Sequence, residues 1–178
     1  RGLGDVYKRQ VDILNAKTME DVFRLLQGCS FLGSFLAYQY TIDMNYSPYI
    51  NFSENDFVKA GIGAIRGIKK CFLCYGNKCE DAIWYVKEHF NDLQKRYGYT
   101  SFHPLLGHEP TLIDLQNCFC ETDKYLRAKM PELRIGNVRI KQKYMPHTDP
   151  IQFFFPPKWN IVEMYKYKPI VVPTLFDL

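Results

Sequence analysis

The feature that most constrains the fold is a series of segments, between residues 18 and 130, in which apolar residues recur at helical spacing. Thr18 with Asp21 has the pattern of a capping box, and Thr111 precedes a later segment of the same kind. The clearest amphipathic segment spans residues 80–96, where large apolar side chains share one face: Ile83, Trp84, Val86, Phe90 and Leu93. These patterns predict a mainly α fold.

Other helices are predicted around these segments. Residues 18–28 form a short amphipathic helix, and the almost wholly apolar residues 31–44 form a buried central helix. Ser53 is a suitable N-cap for a short helix over residues 53–60, because acidic residues follow it in the first turn. Residues 64–76 form the next helix. In the helix that Thr111 caps, the side chains expected to face inward are Leu112, Leu115, Phe119 and Tyr125.

The chain divides into three parts by pattern. Residues 1–10 match nothing in the helical pattern and are expected to be a leader that is not native to the protein. Residues 11–130 form the helical domain. Residues 131–178 contain seven prolines, which predicts an irregular, Pro-rich C-terminal tail, extended and packed on the domain. Short strands in this tail are expected at Val138, Ile140, residues 153–155 and residues 170–172.

Charge and hydropathy narrow the class of protein. A net charge of +4 does not by itself indicate a nucleic-acid partner, but residues 123–143 carry seven lysines and arginines against two carboxylates. The first fifty residues are balanced. No run of about 18 apolar residues is present, so we expect no membrane contact and a cytoplasmic location.

The strongest local motif is the glycine-containing loop in FVKAGIGAIRGIKKCF, residues 57–72. Two glycines allow a tight turn between two predicted helices, which exposes backbone N–H groups at the start of the second helix. A DNA phosphate can accept these N–H groups while nearby cations add attraction without reading sequence. The residues predicted to bind DNA phosphate are Gly61, Gly63, Ala64, Arg66, Gly67, Lys69 and Lys70.

Other interpretations of the loop stay open or fail on sequence. Gly61 can equally be an ordinary C-cap, with Gly63 merely part of a loop. A nucleotide-binding P-loop does not fit, because no Gly-Lys-Ser/Thr follows and no strand precedes the glycines. A dinucleotide-binding fingerprint fails for the same lack of a strand.

Three segments occur in an order that resembles a known family. They are FLAYQYTIDMNYS (residues 35–47), GIGAIRGIKK (residues 61–70) and DLQNCFCETDKY (residues 114–125). They resemble the helical domain of 5-hydroxymethyluracil DNA kinases and the related alpha-glutamyl/putrescinyl thymine pyrophosphorylases, which belong with the helix-hairpin-helix DNA glycosylases. The resemblance covers roughly residues 18–127, about three fifths of the chain.

The motifs agree with the family except at two positions. The family pattern is Gly-Pro-Gly-Ala in the hairpin and Cys-Glu-Phe-x-Lys-Tyr in the later helix. Ile62 stands in place of the proline and Thr122 in place of the phenylalanine. The positions that agree are Gly61, Gly63, Ala64, Cys120, Glu121, Lys124 and Tyr125.

The resemblance implies action on modified thymine in double-stranded DNA, with the base extruded from the stack. Polar residues within apolar helices are candidates for the site, since side chains three or four apart share a helix face. The predicted catalytic residues are Asp43, Glu121 and Lys124, where a carboxylate activates an attacking group and a lysine neutralises a phosphate. The predicted substrate-pocket residues are Gln39, Tyr46, Asp114, Asn117 and Tyr125.

Simpler interpretations of these residues stay open. Glu121 and Lys124 can be an exposed helix pair that contributes at most about 0.5 kcal/mol. Asp43 can cap or pair with the next segment. Asp81 lies eighteen residues after Gly63, where helix-hairpin-helix glycosylases carry a catalytic acid, but an acid at the start of a helix needs no such role.

The resemblance implies a bacterial or phage-infected cell as the setting, and with these residues it gives three possible functions. The first is a transferase domain that modifies 5-hydroxymethyluracil, or its phosphorylated form, at the 5-methylene group. The second is a non-catalytic DNA-docking domain whose partner is a P-loop kinase domain or protein, which alone would bind ATP; no cofactor is expected in this chain. The third is a DNA base glycosylase, ranked last because no lysine follows the hairpin in the expected context.

The six cysteines and four histidines are weighed for metal binding. Cys71-x-x-Cys74, Cys79 and Cys118-x-Cys120 have suitable ligand types, but buried reduced thiols are the preferred interpretation. The histidines show no metal-binding spacing, so no metal site is predicted. Residues 134–144 alternate basic and apolar side chains, as in an edge strand along a phosphate backbone or a merely solvated strand.

Overall fold

The computed structural model describes residues 3–99, 101, 108–134 and 155–161, with side chains from residue 7. This part of the chain is mainly helical and contains no strand, which confirms the predicted fold class. The helices are α1 (Leu3–Leu14), α2 (Met19–Gln27), α3 (Ser34–Asn45), α4 (Ile62–Cys71), α5 (Cys79–Glu88), α6 (Phe90–Arg96) and α7 (Leu112–Lys129). Single 3-10 turns follow at Pro131–Leu133 and Pro157–Trp159.

The predicted capping residues start their helices. Thr18 accepts the Asp21 amide through its hydroxyl at 3.0 Å, and the Asp21 carboxylate accepts the Thr18 amide at 3.0 Å, so α2 begins with a full capping box. At α7 the Asp114 carboxylate accepts the Thr111 amide at 2.8 Å. Because these hydrogen bonds satisfy amides that lack a partner within the helix, they fix where α2 and α7 begin.

The core is formed by apolar faces of α2, α3, α4, α5 and α7. Phe23 of α2, Tyr38 of α3 and Phe57 pack with ring centroids 5.2 to 6.5 Å apart. The other large side chains that are fully buried there include Met19, Val22, Ile68, Ile83 and Leu112. Burial of such apolar surface is the main stabilising contribution to a domain of this kind.

The closest contact between helices joins α4 to α7. Gly63 and Gly67, one turn apart on α4, face Cys120 and Phe119 of α7. A Cβ atom at Gly67 would lie 2.0 Å from the Phe119 carbonyl oxygen, and one at Gly63 would lie 2.4 Å from the Cys120 sulfur. These two glycines therefore allow close backbone approach, rather than a tight turn.

The prediction of a short helix over residues 53–60 is wrong. Residues 54–56 form a turn, in which the Ser53 hydroxyl accepts the Asn55 amide at 3.1 Å, and the segment that follows is irregular. Gly61 is the N-cap of α4 and not the C-cap of a preceding helix. No helix precedes the loop over residues 53–60, so the two helices of a helix-hairpin-helix do not flank it. The Ala60 and Gly61 amides bond instead to side chains of α5 and α7.

Several further details differ from the sequence prediction, among them the end of α4, which lies at Cys71 and not at residue 76. Helix α3 begins at Ser34 and exposes Phe35, Leu36 and Tyr40, so it is not wholly buried. The helix predicted over residues 80–96 is broken at His89, whose φ of −107° and ψ of 18° are not helical. Tyr125 is exposed and does not face inward.

The structure near the two ends of the chain can be compared with the predicted leader, residues 1–10, and the predicted tail, residues 131–178. Helix α1 runs through residue 10 without interruption, and the Arg9 guanidinium donates to the Leu25 carbonyl at 2.6 Å. The strands predicted at Val138, Ile140 and residues 170–172 lie outside the described residues, as does most of 153–155. Residues 155–161 pack on the helical domain, with Pro156 and Ile161 buried.

Candidate nucleic-acid interface

The segment that leads into α4 is held by side chains from two other helices. Glu80 of α5 accepts the Lys59 ammonium at 2.8 Å and the Ala60 amide at 3.1 Å. Gln116 of α7 accepts the Gly61 amide at 3.2 Å. Because both acceptors are buried, these bonds fix the backbone immediately before α4 and hence the direction of that helix.

The pKa of Glu80 reports on this arrangement. Burial acts to raise the pKa, but the hydrogen bonds from Lys59 and Ala60 outweigh it, so the pKa of Glu80 lies below its ordinary value of 4.5. The carboxylate is therefore charged at neutral pH and able to accept both bonds.

Helix α4 presents two different faces. Ala64, Gly67 and Ile68 are buried against the core. Ile62, Arg66 and Lys69 recur at spacings of four and three on the outer side, where Ile62 and Lys69 are exposed and Arg66 is partly exposed. We call Arg66 and Lys69 the basic stripe. Within the part of the chain that the structure describes, neither of them forms an ion pair.

Lys70 has a different role from its neighbours on α4. Its ammonium lies 2.6 Å from Asp123 of α7, with side chains 2% and 1% exposed, and Arg127 approaches the other Asp123 oxygen at 3.1 Å. The charge of Lys70 is thus enclosed in a buried ion-pair cluster that joins α4 to α7. The Lys70 ammonium is therefore not accessible to a phosphate.

The other predicted phosphate ligands are corrected in a similar way. The Gly61 amide is already bonded to Gln116, and Gly63 and Gly67 pack on α7. Ala64 is fully buried, although its amide, like that of Gly63, belongs to the first turn of α4. Of the predicted set, the basic stripe has side chains accessible to a phosphate.

The predicted catalytic pair lies on the outer surface of α7. The Lys124 ammonium donates to the Glu121 carboxylate at 2.5 Å, with side chains 50% and 66% exposed. This hydrogen bond raises the pKa of Lys124 above its ordinary value of 10.5. Asp43 is exposed on α3, four residues after the half-buried Gln39. Glu121 and Lys124 therefore have the geometry of the simpler interpretation, an exposed ion pair between residues i and i+3 of one helix.

The predicted pocket residues divide between the two ends of α7. Tyr46 lies near the carboxylates of Asp114 and Asp43 and, with burial as the largest cause, its pKa is raised. Asp114 is occupied in capping α7, and Asn117 accepts a hydrogen bond from Gln116 at 2.8 Å. Lys124 and Tyr125 lie ten and eleven residues after Asp114, about three helical turns or ~15 Å along the axis. The structure therefore does not gather the predicted set into one pocket.

An aromatic cluster that the sequence analysis missed surrounds Glu54. The Trp159 indole donates to Glu54 Oε2 at 2.7 Å, and His108 stacks on Trp159 with centroids 3.8 Å apart. Tyr46 meets Trp159 edge-on at 5.9 Å. Glu54 Oε1 and His108 Nε2 are buried, and no hydrogen-bond partner for either atom lies among the described residues. No sequence pattern links these residues, because they lie in separate loops.

The cysteines and histidines give no metal site among the described residues, where no three candidate ligands converge. All six thiols are free. Cys79 is buried as predicted, whereas Cys71, Cys74 and Cys118 are exposed, which corrects the expectation of buried thiols. None of the described helices is long and apolar enough to cross a bilayer.

The fold is a helical domain in which two of the segments that carry the sequence motifs, around Gly63 and around Cys120, pack directly on each other. A family model described as the helical domain of the 5-hmdU DNA kinase matches residues 6–135. The chain belongs to this 5-hydroxymethyluracil DNA kinase helical-domain family. No curated protein and no solved structure is similar enough to the chain to count as a match.

Proposed function

We propose that this chain is the DNA-docking domain of a 5-hydroxymethyluracil DNA kinase. In this proposal it binds double-stranded DNA that carries the modified thymine, and a P-loop kinase domain or separate protein supplies ATP and the phosphoryl-transfer machinery. The observation that carries the proposal is the basic stripe on α4, since Arg66 and Lys69 are accessible cations on a helix whose other face is fixed in the core.

The geometry of α4 suits a DNA backbone. The helix fixes the backbone positions of the two cations, so their binding to phosphates costs only the ordering of the side chains, about 0.5–1.5 kcal/mol each. Contacts of this kind position a protein on the duplex without reading the sequence. The family match independently supports DNA as the substrate.

The phosphoryl transfer itself is assigned to the partner. The 5-hydroxymethyl oxygen would attack the γ-phosphorus of ATP, the bond to ADP would break, and the hydroxyl proton would pass to a base in the kinase site. The 178 residues contain no Gly-x-x-x-x-Gly-Lys-Ser/Thr motif for cradling those phosphates. The role of this chain is then to hold the DNA so that the hydroxyl is accessible.

Nucleoside mass spectrometry tests the proposal. DNA that contains 5-hydroxymethyluracil, and the same DNA with the phosphorylated base, is incubated with the purified chain and either ATP or amines. A docking domain leaves every nucleoside mass unchanged while a gel-shift assay detects the bound DNA. A new nucleoside mass would establish a transferase, and an abasic site would establish a glycosylase.

A second candidate is a catalytic domain that acts at the 5-methylene group. The observation that favours it is the hydrogen bond between Glu121 and Lys124, which places a carboxylate beside a lysine on α7. Glu121→Gln and Lys124→Met separate the two functions. Product loss with retained DNA binding favours catalysis, whereas unchanged product formation in the presence of the kinase favours docking.

A further inference from the structure

A groove of about 450 Å³ lies beside the C-terminal end of α4, between α5 and α6. This volume falls in the range of small-molecule sites, which is roughly 300 to 1,000 Å³. None of the residues that line the groove was predicted as a substrate-pocket residue, and none belongs to the cluster around Glu54. Its lining includes Phe72, Tyr75, Tyr85 and Tyr97.

The aromatic walls of the groove are accessible. Tyr85 is 45% exposed and Tyr97 is 67% exposed, although both are large rings that a monomer ordinarily buries in part. Tyr85 is held in place by His89, which stacks on it with centroids 4.3 Å apart. Phe72 is held by an edge-on contact with Phe119 at 5.9 Å. The groove therefore offers exposed aromatic rings to a planar ligand, and Tyr85 and Phe72 among its lining rings are held by neighbouring rings.

Arg96 supplies a cation that an anionic ligand in the groove can reach. Arg96 lines the groove and forms no ion pair within the described ranges. Asp81 also lines it, but its Oδ2 atom accepts the amides of Asn77 at 2.9 Å and Lys78 at 3.2 Å, where it caps α5. The carboxylate is thus engaged in holding the helix, and the guanidinium is left to meet a ligand.

The groove continues the surface of the basic stripe. Lys69 precedes Cys71 and Phe72, both of which line the groove, by two and three residues. The groove therefore adjoins the C-terminal end of the helix that carries the basic stripe. Aromatic faces next to a cation are the usual surface for unstacked bases.

We propose that this groove binds an unstacked pyrimidine base of DNA, with its ring on Tyr97 or Tyr85 and its flanking phosphate on Arg96. The proposal rests on the proposed function, and it adds the place where the extruded base is held. Extrusion turns the 5-substituent of a thymine-type base out of the major groove, so that it can enter the active site of a kinase partner.

Fluorescence anisotropy with the full chain tests the groove. The probes are a labelled single-stranded oligothymidylate and a fully paired duplex of the same length. A double variant, Tyr85→Ala with Tyr97→Ala, should weaken single-strand binding by at least about fivefold, since stacking on one aromatic ring contributes about this much or more. Arg96→Met should weaken it as well. Tyr49→Ala is the matched control, because Tyr49 is 78% exposed and lines a different groove.

The outcomes separate the groove from the docking function. Weaker single-strand binding by the groove variants, with duplex binding changed less than twofold, supports the proposal. Single-strand binding within twofold of the unsubstituted chain, while Arg66→Ala weakens duplex binding, overturns the groove and leaves the docking function intact. Failure of the unsubstituted chain to bind either DNA overturns both. Circular dichroism confirms that each variant is folded.

Discussion

At the scale of single residues, two ion pairs on α7 show how burial decides the role of a charge. Lys70 and Asp123 are enclosed between α4 and α7, whereas Glu121 and Lys124 are in solvent. Removing one partner of a buried pair leaves an uncompensated charge, which costs about 3–5 kcal/mol. An exposed pair contributes about 0–1 kcal/mol.

Asp123→Ala is therefore expected to lower the free energy of unfolding by about 3–5 kcal/mol, because Lys70 and Arg127 lose their shared carboxylate. Glu121→Ala, the matched control on the same helix, should lower it by less than about 1 kcal/mol. Urea denaturation followed by circular dichroism measures both. Equal losses for the two variants would contradict the assignment of a buried cluster.

Glu80 gives a prediction about pH. Its folded-state pKa is lowered, so its hydrogen bonds stabilise the folded chain above the ordinary pKa of 4.5, and this contribution is lost as the pH falls through the folded-state value. The difference in unfolding free energy between the unsubstituted chain and Glu80→Gln should shrink below about pH 4.5. A difference that stays constant down to pH 3 would show that the carboxylate is not held by charged hydrogen bonds.

The residue scale also shows what the sequence could and could not predict about the site. Arg66 and Lys69 follow from the motif and their helical spacing. The burial of Lys70 could not be predicted, because its partner Asp123 lies 53 residues away. Likewise, Trp159 and Glu54 are 105 residues apart, and only tertiary structure brings them together.

At the scale of elements, the contact between α4 and α7 determines how the interface is positioned. Both glycines of Gly63-x-x-x-Gly67 face α7, and the basic stripe lies about a quarter turn further round the helix, on its outer side. A methyl group at Gly67 would collide with backbone, which cannot rotate away as a side chain can. Overpacking of this kind typically costs about 1–3 kcal/mol or more.

Gly67→Ala should accordingly lower the melting temperature by several degrees, on the order of 5 °C or more for a domain of this size. Gly28→Ala is the control: its φ is −70°, and a Cβ atom there would lie 3.5 Å or more from its neighbours. Differential scanning calorimetry compares the two. A Gly67→Ala variant as stable as Gly28→Ala would mean that α4 does not approach α7 so closely.

The helices themselves were predictable where local signals set their ends. Thr18 and Thr111 cap α2 and α7 as the sequence indicated. The prediction failed over residues 53–60, where local propensity favoured a helix. Tertiary hydrogen bonds hold the segment in another conformation, because Glu80 and Gln116 accept the Ala60 and Gly61 amides and Asn55 bonds to the start of α7. Asn55, for example, accepts the Leu112 amide at 3.2 Å instead of extending a helix.

At the scale of the whole molecule, residues 155–161 join the helical domain although the family match ends at residue 135. Lys158 donates to the Phe52 carbonyl at 3.2 Å, and Trp159 donates to Glu54. This segment therefore supports the loop between α3 and α4, which leads to the interface.

Trp159→Phe tests that support. The variant keeps an aromatic ring but removes the donor to Glu54 Oε2, so a buried carboxylate oxygen loses its partner, at a cost of about 1–3 kcal/mol. Chemical denaturation measures the loss. Tyr125→Phe, which changes an exposed ring on α7, is the control and should be neutral. A neutral Trp159→Phe would indicate that the segment is not held through Glu54.

The central claim is that the basic stripe docks the domain on DNA, and its most direct test is the salt dependence of binding to a duplex containing 5-hydroxymethyluracil. Arg66→Ala and Lys69→Ala should each weaken binding and reduce the slope of log K against log salt by about 1. Lys17→Ala, an exposed lysine between α1 and α2, should leave the slope unchanged. Slopes for all three variants equal to that of the unsubstituted chain would contradict the claim.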